Sequence, residues 1–187
     1  MKRIHRARRL HAALALALGI LTALATPLAQ AADWQVSVGG GDRSSINKVG
    51  FGVVWDPHAP LWQGQVWQLR LLHEAQLAYW DVPRASDTFE IGYSPMFRLQ
   101  RGTLSTGNWV PFIEASIGVR LISNTRLSES RTMSTAFQFS DTLGVGVQFG
   151  NKARSTVGLR YQHLSNAGIK HPNPGINFTQ IYYQQSF

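Results

Sequence analysis

From residue 32 onward, apolar and polar residues alternate with a period of two, which is the pattern of strands with two unlike faces. Residues 65–80 place Trp67, Leu69, Leu71, Ala75, Leu77 and Tyr79 on one face, interrupted by His73. Gln68, Arg70, Glu74 and Gln76 lie on the other. Residues 88–100 set Phe89, Ile91, Tyr93, Phe97 and Leu99 against Thr88, Glu90, Ser94, Arg98 and Gln100. Residues 109–121 set Trp109, Ile113, Ala115, Ile117, Val119 and Leu121 against Glu114, Ser116 and Arg120. Shorter runs follow the same rule at Trp34–Val38, Val49–Trp55, Leu143–Phe149, Val157–Tyr161 and Thr179–Phe187. About eight strands result, separated by turns at 39–45, 56–64, 81–86, 101–108, 124–133, 150–154 and 166–175. No long segment has a helical period, although 124–133 has room for a helical turn.

The polar face decides what kind of sheet this is. A soluble lipocalin-like barrel also alternates, with its apolar face inward and its charged face in water. Here Arg70, Glu74, Glu90, Arg98, Glu114 and Arg120 suit the hydrogen-bonded interior of a small barrel. Aromatics gather near strand ends (Trp34, Trp55, Trp62, Trp80, Trp109, Tyr183), as the girdles of a membrane barrel do. Strands of roughly 9–11 residues span a bilayer when tilted, and only a closed barrel leaves no unpaired edge in lipid. The expected fold is all-β, an eight-stranded antiparallel transmembrane β-barrel. The final Phe187, in an alternating strand, resembles the signal that bacterial outer-membrane barrels present to the barrel-assembly machinery.

The first 31 residues read as an address. Lys2, Arg3, Arg6, Arg8 and Arg9 precede an Ala/Leu-rich stretch from Leu10 to Leu28, and Ala29-Gln30-Ala31 fits a small-x-small cleavage site. A retained membrane anchor is the alternative. Residues 1–31 are thus expected to be a signal peptide and 32–187 the barrel. Without them the net charge falls from +8 to about +3, so the basic character of the whole chain belongs mostly to the leader. No Lys/Arg-rich run remains, which argues against nucleic acid as a partner. The absence of cysteine excludes disulfides and thiolate metal sites.

One run breaks the alternation. After Val157, Leu159 and Tyr161, the same face continues with His163 and Ser165. A base and a nucleophile sit together where oily side chains are expected, at the outer end of a strand and facing lipid. Counting back from Phe187 by twos brings Asn177 to that face of the next strand. Such a group suits ester hydrolysis. Serine becomes a nucleophile when an imidazole takes its proton, and the imidazole needs a partner to fix its tautomer. Asn166, Gly168 and Asn173 in the connecting loop are candidate oxyanion donors. The plain alternative is an interfacial histidine followed by a turn.

The longer string from His163 through Leu164, Ser165, Asn166, Gly168 and Asn173 to Gly175 closely resembles the signature of the PagL-type lipid A 3-O-deacylases. The resemblance is strong over residues 161–177 and general elsewhere. It implies an eight-stranded barrel of the bacterial outer membrane that removes the ester-linked acyl chain at position 3 of lipid A. It makes His163 the general base and Ser165 the nucleophile. Asn173 and the Gly168 backbone become oxyanion stabilisers, with Asn166 supporting them. No cofactor or metal is implied. The substrate partner is lipopolysaccharide in the outer membrane, and the resemblance allows a homodimer. Where the family has a glutamate orienting the histidine, this chain has Asn177, which can hold an imidazole but cannot stabilise its cation by charge. Glu90, Glu114 and Asp141 are the other acids considered for that role. His73 and His171 read as surface and loop residues. Arg126, Arg131, Lys152 and Lys170 read as solvated loop charges; contact with lipid A phosphates is the alternative, and the place of Lys152 in a predicted periplasmic turn counts against it there. The alternatives are a non-enzymatic small barrel, structural or adhesive, and another lipid-modifying barrel such as a phospholipase.

Overall fold

The computed structural model describes residues 32–42, 45–56, 59–83, 85–102 and 109–187. The leader and most of the 101–108 turn lie outside the described residues. The strands are β1 (Ala32–Gly41), β2 (Asn47–Trp55), β3 (Trp62–Gln63), β4 (Trp67–Asp81), β5 (Thr88–Arg101), β6 (Trp109–Ile122), β7 (Phe137–Phe149), β8 (Ser155–Ser165) and β9 (Ile176–Gln185). Each long strand pairs antiparallel with its chain neighbour, and β1 closes on β9. The short β3 continues the flank of β4 that β2 begins, Trp55 facing His73 and Trp62 facing Leu69. Pro60 lies between the two and has no N–H for a ladder bond. The wall is therefore a closed eight-stranded antiparallel barrel, as the alternation predicts.

The apolar face points outward. Ile117 is 71% exposed, Leu143 64% and Leu159 52%, a degree of exposure that fits hydrocarbon and not water. Inside, three carboxylates meet four cations. Glu114 holds Arg98 (2.8 Å) and Arg160 (2.6 Å), Glu74 holds Arg160 (2.6 Å), and Glu90 holds Lys48 (2.8 Å) and Arg120 (2.9 Å). Tyr182 donates to Glu114 at 2.9 Å. Lys48 and Arg160 were not singled out in the sequence, though both fall on the polar face by parity. An apolar plug of Ile46, Trp80, Val82, Ile122, Leu127, Met133, Leu164, Ile176 and Phe178 fills the barrel at one end. Val54, Leu72 and Met96 form a smaller cluster towards the other.

Several expectations change. Trp80 belongs to the interior, not to a girdle: it is fully buried and its Nε1 donates to Glu90 at 2.8 Å. Segment 124–133 holds an isolated Arg126–Thr132 bridge and no helical turn. Strand β7 begins at Phe137, earlier than the alternation from Leu143 indicates, because Asp141 interrupts the outward apolar pattern that Phe137 and Phe139 otherwise share. Strand β9 ends at Gln185, with Phe187 exposed past it.

Candidate active site

The end of the barrel that carries the apolar plug also carries the anomalous outward residues. Leu164, Ile176 and Phe178 are fully buried in the plug. Because successive side chains alternate faces, burying these three turns His163, Ser165 and Asn177 to the outer surface. The β8–β9 register sets His163 opposite Asn177. The imidazole Nδ1 lies 2.6 Å from Asn177 Oδ1. On its far side the same amide meets β1, where Asn177 Nδ2 donates to Asp42 Oδ2 at 2.7 Å and Asn177 N donates to Asp42 Oδ1 at 3.0 Å. Asp42 N returns a bond to Asn177 O at 2.8 Å, extending the β1–β9 ladder by one residue. Asp141 of β7 lies opposite His163 on the other side. A polar row thus crosses four strands, in the order Asp141, His163, Asn177, Asp42.

The loop after Ser165 is built by its asparagines. Asn166 is fully buried, and its Oδ1 accepts from Gly168 N (3.0 Å) while its Nδ2 donates to Lys170 O (2.8 Å). This is an Asx turn, a local bond that replaces ladder pairing. Asn173 Oδ1 accepts from Asn166 N at 3.1 Å, and Asn173 Nδ2 has no partner among the described residues. Gly175 lies against the imidazole with φ 59°, and a Cβ there would meet His163 Cε1 at 2.8 Å. From the β6–β7 loop, Arg131 donates to the carbonyls of Pro174 and Gly175, and Ser134 to that of Pro172. These two residues clamp the stretch that holds Asn173 and Gly175.

His163, Ser165, Asn177, Asn173, Asn166 and Gly168 therefore gather at one rim. Ser165 is half-buried there, and no bond links its hydroxyl to the imidazole among the described residues. The Gly168 N–H is already held by Asn166 and would have to exchange that partner to serve an oxyanion. Glu90 and Glu114 are not available to His163, because both lie inside the barrel in ion pairs. Asp141 is exposed on the outer face and makes no hydrogen bond to the imidazole among the described residues. Asp42 was missed in the sequence, as was the clamp by Arg131. No alternation signal connects residue 42 to residue 177. Arg126 donates to the carbonyls of Ser128 and Glu129 within its own loop, Lys170 and His171 are exposed, and Lys152 lies at the opposite barrel end. His73 is less isolated than its sequence context indicates: it stacks on Trp55 and meets Tyr93 Oη at 2.6 Å. Below the polar row, a shallow apolar groove on the outer wall is lined by Val36, Val38, Val157, Ile181 and Tyr183, among others.

The rim thus gathers an imidazole whose Nδ1 meets Asn177, a serine hydroxyl two residues along the same face, an amide Nδ2 with no partner among the described residues, and an apolar groove further down the outer wall. A family profile described as "Lipid A 3-O-deacylase (PagL)" matches residues 47–186. A Pseudomonas aeruginosa protein named "Lipid A deacylase PagL" is 32% identical over 173 residues, covering 90% of this chain and 96% of that one. A Bordetella bronchiseptica protein of the same name is 37% identical over 123 residues, 64% of each chain. The crystal structure of the outer membrane enzyme PagL is similar with a TM-score of 0.74 at 29% identity, covering 83% of this chain and 99% of that one.

Proposed function

The chain belongs to the lipid A 3-O-deacylase family, and from that premise we propose that it is an outer-membrane serine esterase with Ser165 as nucleophile and His163 as base. The observation that carries this reading is the outward imidazole, held at Nδ1 by Asn177 with Ser165 beside it at the rim of a lipid-facing wall. Lipid A lies against the barrel with its 3-O-acyl ester at Ser165 and the acyl chain along the apolar groove. His163 Nε2 takes the Ser165 proton as Oγ attacks the ester carbonyl. Asn173 Nδ2 donates to the oxyanion. The tetrahedral intermediate expels the 3-hydroxyl of the sugar, which receives the proton from the imidazolium. Water, activated by the same imidazole, then hydrolyses the acyl-enzyme and frees the fatty acid. Gly168 N–H is a second oxyanion donor once it leaves Asn166. Asn166 shapes the loop.

Residues 1–31 are proposed to direct export and be removed, and Phe187 to be read by the barrel-assembly machinery. Mass spectrometry of lipid A from cells expressing the wild type and Ser165→Ala tests the reading. Wild type is expected to remove one ester-linked 3-hydroxyacyl chain and Ser165→Ala none, a loss of about 10³-fold or more. If wild type leaves lipid A intact, the deacylase reading fails. Release of fatty acid from phospholipids instead would favour a phospholipase. If Ser165→Ala still deacylates, the nucleophile lies elsewhere.

A further inference from the structure

We infer that Asp42, at the outer end of β1, is a positioning residue of this site and sets the tautomer of His163 through the Asn177 side chain. The inference rests on the Ser165–His163 reading above. An amide at position 177 is by itself ambiguous: it can present either its oxygen or its NH2 group to the imidazole. With oxygen towards Nδ1, the imidazole carries its proton on Nδ1, and Nε2 is left with the lone pair that a base needs. With NH2 towards Nδ1, the proton sits on Nε2 and the base is disabled.

Asp42 removes the ambiguity. An ionised carboxylate only accepts hydrogen bonds, so the amide group facing it must be Nδ2, as the 2.7 Å contact to Oδ2 requires. The oxygen is thereby turned to His163 at 2.6 Å. The second carboxylate oxygen takes Asn177 N at 3.0 Å, and Asp42 N donates to Asn177 O at 2.8 Å, so the carboxylate is held by backbone as well as side chain. The acid absent from position 177 is supplied one residue further along the row, from a strand at the other end of the chain. Its negative charge also favours the imidazolium that forms when Ser165 is deprotonated, more weakly than a directly bonded carboxylate because an amide intervenes.

The test compares the full-length wild type with Asp42→Asn, Ser165→Ala, Asn177→Glu and the Asp42→Asn/Asn177→Glu double variant. Folding is checked by the shift of the intact barrel on unheated gels. Asp42→Asn is expected to lower kcat about 10- to 100-fold with KM within about twofold. Nitrogen-15 shifts of labelled His163 are expected to move from the Nδ1–H tautomer towards Nε2–H. In the Asn177→Glu background, a carboxylate meets the imidazole directly, and Asp42→Asn is expected to change kcat by less than about twofold. If Ser165→Ala is inactive while Asp42→Asn keeps wild-type kcat and tautomer, the relay is overturned and the site reading stands. An undiminished loss from Asp42→Asn in the Asn177→Glu background also overturns it, and that comparison remains open should the single variant not fold. If Ser165→Ala retains activity, the site is misassigned and the relay falls with it.

Discussion

Two polar regions of this barrel stand where apolar residues would be simpler, and they differ in how their central groups are engaged, although even inside Arg98 Nη1 and Ser116 Oγ lack a hydrogen-bond partner among the described residues. Inside, Glu114 has both oxygens committed: Oε1 accepts from Arg160 and Tyr182, and Oε2 from two nitrogens of Arg98. Glu90 is similar, shared among Lys48, Trp80 and Arg120. At the outer rim the pattern is one-sided. His163 and Asn177 are bonded at the atoms that orient them, while Ser165 Oγ and Asn173 Nδ2 have no partner among the described residues. Inside, Glu114 and Glu90 bind strand to strand across the barrel. The rim row is bonded at one edge and has unpartnered groups at the other among the described residues, which is where the proposed reaction would place its substrate.

The largest expected effect tests the interior half of this contrast. Glu114→Ala leaves Arg98 without its carboxylate and Arg160 with only Glu74, and should destabilise the barrel by about 3–5 kcal/mol. The midpoint of urea unfolding in detergent measures it, and activity per folded molecule should be unchanged. If activity per folded molecule falls instead, the interior is coupled to the chemistry and the contrast is too simple. Next comes Asn173→Asp. It keeps the oxygen that accepts from Asn166 N and removes the open donor, so the loop should persist while kcat drops about 10²–10³-fold. Unchanged kcat would mean that the open amide is not an oxyanion donor. The smallest effect is expected for Gly175→Ala. The left-handed φ costs an L-residue roughly 1–2 kcal/mol, and the new methyl would press on His163 Cε1 and the Leu164 carbonyl. A fall in kcat of about tenfold with a small loss of stability is the expected outcome. A large stability loss with normal kcat would assign Gly175 to the wall and not to the rim.

Much of this was legible in the chain. Alternation located the long strands and the facing of His163, Ser165 and Asn177, because a period of two is a property of each strand alone. It also put Glu90 and Glu114 on the polar face, although not their partners. It failed where the outer face stops being apolar. Asp141 masks the start of β7 for that reason, and Trp80 reads as a girdle residue from its place near a strand end although its parity puts it inside. The string from His163 to Gly175 indicated the family, and the comparisons support it over most of the chain.

Counting along the chain is enough for the strand pattern, the outward parity of the His/Ser pair and the departure at Asn177. What stands behind that asparagine is visible only once the sheet has closed. Asp42 and Asn177 are separated by 135 positions and meet because the first strand closes on the last in a single register. Parity is local and can be read by counting. Which residue lies across a ladder from which depends on pairing between distant segments, and barrel closure alone brings that carboxylate to the far side of the amide.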